Sequence, residues 1–465
     1  MRRKSCVSLV ALAVTFLFAG CSGSVEIGPV PTITPRPAVT LAPTPTPTVD
    51  VVQPGEGSGD AVEEASVYET KNFKEYYEKE NKLPELDEAY KDYFQVGIDA
   101  LVIDVMDEKR QAVIKEQFNS ISVKGDLSPK NIMDYETSKV ATDKTRIALN
   151  FSGADVILKF AQENNIPVRG AKLITNEVPE WAFTKDLNRA QVTETTNADG
   201  TVTKTIEYAS ADVIMARMEN YIKDVINYCN TNYPGLIVSW DILDDVISPG
   251  EGHALKYRST SYWHQGIGEE YIVEACRMAR KYAEPDQKLF FSQDNLDEAP
   301  TLTASLVLID TLKAENLIDG IAIQGHYNPN VPNVFNMDDM FKKLSETGLE
   351  LHITEFYIDT NTGDMGDFDL TVEELVARGV KRYKALMTNL VNYEAKKGYD
   401  IVSITFEGLT NDTSYLNEPK EYFDEVSGER MFGVKLESYP YLFDAELNVL
   451  DTFFAALGDK SIKGY

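Results

Sequence analysis

The apolar and polar positions change their pattern at about residue 65. Beyond it, short apolar runs of strand length alternate with longer stretches whose apolar residues recur every three or four positions. The short runs predict strands at Gly97–Ile103, Phe118–Ser122, Val168–Ile174, Leu236–Leu243, Lys288–Ser292, Gly320–Gln324, Leu349–Thr354 and Ile401–Phe406. The longer periodicity predicts helices from Glu108, and over Ala211–Asn230, Glu269–Tyr282, Leu302–Glu315, Met337–Thr347, Glu373–Asn392 and near Leu447–Leu457. Strands that alternate with helices imply a parallel sheet. About eight such units in roughly 400 residues fit a (β/α)8 TIM barrel with long βα loops. The rival is an open doubly wound sheet, but no GxGxxG follows the first strand.

Two segments interrupt the alternation. Val192–Tyr208 alternates Thr with apolar residues around Asn197-Ala198-Asp199-Gly200, which predicts a β-hairpin insertion. Glu418–Tyr439 reads as an acidic, aromatic loop. Either could rim the barrel mouth.

The first 64 residues have another character. Arg2-Arg3-Lys4 precedes an apolar run from Val7 to Phe18, too short to span a bilayer and right for a signal peptide. The run ends in Phe18-Ala19-Gly20-Cys21, which resembles a bacterial lipoprotein signal. That resemblance implies lipid attachment at Cys21 and a protein held on the outer face of the cell membrane. A plain secretory peptide with an incidental Cys is the alternative. Residues 21–64 carry Pro29, Pro31, Pro35, Pro37, Pro43, Pro45, Pro47 and Pro54 among Thr, Val and Ala. Such a stretch cannot build a core. It is read as a disordered, extended linker, at about 3 Å per residue where polyproline-like. The domain reading is therefore signal peptide 1–20, linker 21–64 and barrel 65–465.

Composition narrows the partners. A net charge of −29 disfavours nucleic acid and an anionic membrane surface as targets, leaving the lipid as the one membrane contact. Of four cysteines, Cys229 and Cys276 fall in predicted helices and are expected to be buried free thiols. The four histidines include no HExxH or i, i+4 pair, so no metal site is legible and no cofactor is expected. A monomer is expected.

The candidate chemistry lies at two strand ends. Leu351-His352-Ile353-Thr354 leads into Glu355, and Leu236–Leu243 leads into Asp244-Asp245. In a closed barrel these carboxylates would share one mouth, and a facing carboxylate pair is what glycosidic cleavage requires.

The motifs around them resemble glycoside hydrolase family 10, the retaining endo-β-1,4-xylanases, over residues 85–457. Glu88-Ala89-Tyr90-Lys91-Asp92-Tyr93-Phe94 is similar to the family's opening and Phe118-Asn119-Ser120-Ile121 to its second strand. Trp240-Asp241-Ile242-Leu243-Asp244-Asp245 resembles WDVVNE, Ile323-Gln324-Gly325-His326-Tyr327 the sixth strand, His352-Ile353-Thr354-Glu355 the nucleophile strand and Tyr441-Leu442-Phe443-Asp444 the tail. The resemblance implies Glu355 as nucleophile and Asp245 as acid/base. It places Gln324 and His326 among the contacts to nucleophile and substrate, with Asp244, Asn176 and Glu407 at substrate-binding positions. The implied partner is a xylan-like polysaccharide.

Several positions depart from the family. Asp245 stands for Glu and Asp244 for Asn. Lys124-Gly125-Asp126-Leu127-Ser128 follows the second strand in place of Glu-Asn and Lys. Leu173-Ile174-Thr175-Asn176-Glu177 stands for Leu-Val-Trp-His, Tyr357 for the Asp that orients His326, and Glu407 and Tyr415 for two Trp residues. Two readings follow. One is a surface-tethered retaining glycosidase. The other is a glycan-binding lipoprotein that keeps the barrel without turnover. An Asp244 charge beside Asp245 should raise the pKa of the acid.

Overall fold

The computed structural model describes residues 82–458 apart from 124, 197–201, 363–364, 425–428 and 435, together with Lys74 and Tyr77. The segment read as a signal peptide, Cys21, the proline-rich stretch read as a linker, Lys124 and the tip of the predicted hairpin lie outside the described residues.

Eight parallel strands close into a barrel in sequence order. They are β1 (Gln95–Asp99), β2 (Ser120–Ser122), β3 (Val168–Ile174), β4 (Ile237–Asp244), β5 (Lys288–Gln293), β6 (Gly320–Tyr327), β7 (Glu350–Ile358) and β8 (Ile401–Phe406). The ring closes where β1 pairs with β8, Val96 against Ile404. The expected (β/α)8 architecture is thus the one observed, and its helices lie close to the predicted ranges.

Helix 211–232 illustrates why. Ile214, Met218, Tyr221, Ile222, Val225, Ile226 and Cys229 are buried along one stripe, the spacing that keeps one face of a 3.6-residue helix on the barrel. Helix 108–117 starts at Asp107, whose carboxylate accepts from the N–H groups of Lys109 (3.0 Å) and Arg110 (2.9 Å). Helix 372–392 starts with a Thr371–Glu374 capping box. Cys229 and Cys276 are buried free thiols, and burial pushes the Cys229 thiol up to about 12, so it is inert at neutral pH.

Strand ends differ from expectation in two places that matter. The apolar run at Gly97–Ile103 is strand only to Asp99, and Val102–Met106 turns into helix. The second is β7, expected to stop near Thr354. It continues to Ile358, so Glu355 lies within a strand. It does so with φ of +54°, and the pairing with β6 slips between Gln324 and His326. A bulge of this kind re-aims a side chain at a barrel rim.

The barrel interior beneath the mouth holds a charged layer. Arg169 (β3) donates through Nε to Asp241 (β4) at 3.0 Å and also pairs with it through Nη2. Arg169 Nη1 lies 2.8 Å from His352 Nδ1 on β7, and Ser403 Oγ on β8 lies 2.9 Å from the same atom. Burial, with Arg169 beside it, lowers the His352 pKa to about 4, so the ring is a neutral acceptor. Gly170 is required here: a Cβ at this position would sit 2.4 Å from the Trp240 ring. Four strands are thereby tied together directly under the candidate site.

Both interruptions are antiparallel hairpins. Val192–Thr196 pairs with Val202–Ile206 as expected. The segment read as an acidic loop contains a second hairpin, Lys420–Asp424 with Glu429–Gly433. Its alternation was hidden by charged residues at half of the strand positions.

Candidate active site

Asp244 ends β4 and Asp245 follows it with φ of +49°. Non-glycine residues in the left-handed region cost on the order of 1–3 kcal/mol each and persist only where neighbours hold them. Asp245 is held on both sides of its peptide. Its N–H donates to Ser292 O (3.2 Å), and its carbonyl accepts from Arg258 Nε (2.8 Å) and Asn176 Nδ2 (3.2 Å). Its carboxylate accepts from the Asp294 N–H (2.8 Å) and from Gln293 and Gln324 Nε2 (3.3 Å each).

Asp244 is buried and saturated. It accepts from Gln324 Nε2 (2.8 Å), Thr175 Oγ1 (3.0 Å) and Ser292 Oγ (3.4 Å). It also pairs with Lys172 Nζ at 2.7 Å. Gln324 therefore serves both aspartates, and Asn176 holds the backbone of Asp245. Asn176 also lines a groove of about 590 Å³ with Glu177, Trp181, Arg189 and Tyr262. The 192–206 hairpin flanks that groove through the Lys204–Glu180 ion pair.

Glu355, 3 % exposed, is gripped by two cationic groups. His326 Nε2 lies 3.0 Å from Oε2, and Lys172 Nζ pairs with Oε1. Burial works against protonation of His326, but its contacts with Asp294 and Glu355 prevail and raise its pKa to about 9. The ring is then an imidazolium at neutral pH, donating to both carboxylates.

Two residues in this network carry roles that the motifs did not flag. Tyr357 stands where an orienting Asp was expected, and its ring stacks on His326 (centroids 5.1 Å apart) while its hydroxyl meets that of Tyr415 at 2.6 Å. The orienting carboxylate comes instead from Asp294 at the end of β5, 3.4 Å from His326 Nδ1. Lys172, inside β3 and two positions before Ile174, supplies the buried cation. Its only signal in the sequence was a charged residue within an apolar strand. Replacing Asp294 by Asn removes one of the two anions that hold the His326 proton. An NMR titration of that imidazole should then give a pKa at least about one unit lower. An unchanged titration would assign the proton to Glu355 alone.

Asp245 and Glu355 occupy unlike surroundings. Burial, and then the adjacent Asp244 charge, raise the Asp245 pKa to about 6, with Lys172 and the Asp294 N–H opposing. This is the direction expected from the doubled aspartate. Asp245 is thus a carboxyl group that carries a proton in mild acid, facing a barrel mouth that also holds a cation-clamped carboxylate. The Glu407 carboxylate stands just past β8. With His326 and Glu355 it forms the one set of possible metal ligands found among the described residues, with ligand atoms within 4.8 Å of one another. A protonated His326 has no lone pair for a metal, so these residues suit proton and hydroxyl chemistry better.

The chain is 29% identical over 379 residues to the beta-1,4-xylanase of Dictyoglomus thermophilum, covering 80% of this chain and 90% of that protein. It is 28% identical over 377 residues to endo-1,4-beta-xylanase B of Butyrivibrio fibrisolvens, covering 79% of this chain but only 52% of that relative. For endo-1,4-beta-xylanase A of Thermotoga maritima the values are 27%, 73% and 29%. The chain thus spans about half or less of two of these three relatives. Among solved structures, an endo-1,4-beta-xylanase from Caldicellulosiruptor owensensis superposes with a TM-score of 0.62 at 25% identity, covering 81% of this chain and 99% of that one. The fold is shared with a xylanase from Paenibacillus barcinonensis crystallised with a conduramine derivative (TM-score 0.63, 23% identity, 82% and 99% covered). The profile of the family described as Glycosyl hydrolase family 10 matches residues 85–458, and the chain belongs to that family.

Proposed function

We propose that this protein is a retaining glycoside hydrolase of the endo-β-1,4-xylanase type, acting on xylan or a related plant polysaccharide. The observation that carries this reading is the unequal setting of the two carboxyl groups: Asp245 with its pKa raised to about 6, and Glu355 between Lys172 and His326. In the first step an oxygen of Glu355 attacks the anomeric carbon, the glycosidic bond breaks, and the leaving oxygen takes the proton of Asp245. In the second, water attacks the same carbon, Asp245 takes its proton, and Glu355 leaves as a carboxylate. The names of the similar xylanases support the substrate class. Glu407, in place of one of the family's tryptophans, favours a specificity shifted within that class, because aromatic faces are what stack on sugar rings.

The test is release of reducing sugar from a panel of β-1,4-linked polysaccharides, in parallel with a Glu355 variant. Glycan binding without product would establish the non-catalytic reading, which the short arm of Asp245 favours. We also propose that the protein is exported and tethered through lipid on Cys21, with residues 22–64 as spacer. The full chain should then sediment with membranes, and Cys21→Ala should move it to the soluble fraction. Equal partition of both forms would remove the tether.

A further inference from the structure

Lys172 touches both sides of the candidate site. Its ammonium pairs with Asp244 at 2.7 Å and with Glu355, and its side chain is 12% exposed. Neither partner is free to move away. Asp244 is fixed by Gln324, Thr175 and Ser292, and Glu355 by His326. A shared ammonium of this kind has a consequence for a reaction in which one carboxylate disappears and returns. The reasoning rests on Glu355 being the nucleophile, as proposed above.

We propose that Lys172 assists the second half of the reaction by receiving the Glu355 carboxylate as it is released from the sugar, while Asp244 keeps the ammonium paired when Glu355 is an ester. In the first half the C1–Oε bond forms and the leaving-group oxygen departs with the C1–O electron pair. Glu355 is then neutral, and Lys172 keeps its contact with Asp244. In the second half water adds to C1, the C1–Oε bond breaks, and its electron pair returns to Glu355. The developing negative charge appears where Lys172 Nζ already sits, in a site too dry to screen the attraction. The same contact stabilises the free carboxylate before attack, so it aids departure more than entry. Asp244 offsets that bias. Without its charge the ammonium would lean more heavily on Glu355 and oppose formation of the ester. The Asp at the family's Asn position and the Lys on β3 therefore form a functional unit.

The two residues are predicted to shift the balance between the half-reactions in opposite directions. The assay uses the full-length protein and an aryl β-xylobioside with a strongly acidic phenol, which needs no proton to leave. In Lys172→Met, kcat should fall about 100-fold, the scale of losing one electrostatic contact at a reacting oxygen. Its kcat/KM should change by only a few-fold. A burst of phenol close to one equivalent should appear, with the glycosyl adduct on Glu355 seen by intact mass. Lys172→Arg should retain most of kcat. Asp244→Asn should instead lower kcat/KM with no burst and no adduct. Equal losses of kcat and kcat/KM in Lys172→Met without an adduct would overturn the proposal and leave Lys172 a structural residue. Should Lys172→Met fail to fold, an adduct accumulating in Asp244→Asn would overturn it equally. A parent protein that releases no phenol would overturn the glycosidase reading itself, and this inference with it.

Discussion

Glu355→Gln is expected to lower turnover of the responsive polysaccharide by on the order of 10⁴-fold or more, the scale seen when an attacking group is removed outright. The amide has nearly the shape of the carboxylate but no anionic oxygen to form a bond with the anomeric carbon. The loss should lie in kcat, with glycan retention in affinity electrophoresis maintained. The surroundings make the substitution a clean one. Lys172 keeps Asp244 and His326 keeps Asp294 when the Glu355 charge is removed. Neither cation is stranded, so the melting temperature should move by only a few degrees. Product release by the variant at the parent rate would place the chemistry elsewhere in the barrel.

Asp245→Asn gives the second largest effect, an expected loss of about 10²–10⁴-fold on polysaccharide, the usual contribution of a positioned acid/base. The loss should be smaller for the first step on an aryl glycoside with an acidic phenol, because that leaving group departs unprotonated. The pH profile carries a further mark. The acid form of Asp245 drives the first step, and its pKa is raised from the ordinary 3.8 to about 6. Its protonated fraction therefore falls as pH rises through about 6, and kcat/KM should fall by about tenfold per unit above it. The Asn variant should lack this limb. A parent profile flat from pH 5 to 8 would exclude Asp245 as the acid. The converse change, Asp245→Glu, extends the arm by one methylene, about 1.5 Å. Misplacement by about 1 Å costs on the order of 100-fold, so Asp245→Glu should raise the rate by a similar factor. No gain would assign the limit to the rebuilt sugar contacts at Glu407 and Tyr415.

The substitutions relative to the family do not act one at a time. Asp244 brings a charge, and Lys172 lies against it. Tyr357 removes an orienting carboxylate, and Asp294 supplies one from another strand. Each departure noted in the sequence at these two places has a partner elsewhere in the barrel, on β3 and β5. That favours a site rebuilt with its charges matched over one that has only decayed, because an uncompensated buried charge costs several kcal/mol.

The sequence by itself determined the barrel and the order of its strands, and it pointed to the two candidate carboxyl groups. Hydrophobic periodicity reports burial, and burial is what defines strands such as Val168–Ile174 and helices such as 211–232. It also led to the prediction that Asp244 would raise the pKa of Asp245, since adjacency in the chain guarantees proximity. Tertiary structure alone decided contacts between residues far apart in sequence. Lys172 reaches Glu355 across 183 positions and Asp294 reaches His326 across 32, and no local pattern encodes either meeting. The bulge at Glu355 belongs with these. The apolar run Phe356-Tyr357-Ile358 simply extends the strand signal, whereas φ of +54° arises from the slipped pairing with β6. Periodicity placed the carboxylates in one mouth, and the strands that meet around them decided which would hold a proton and which would be clamped between two cations.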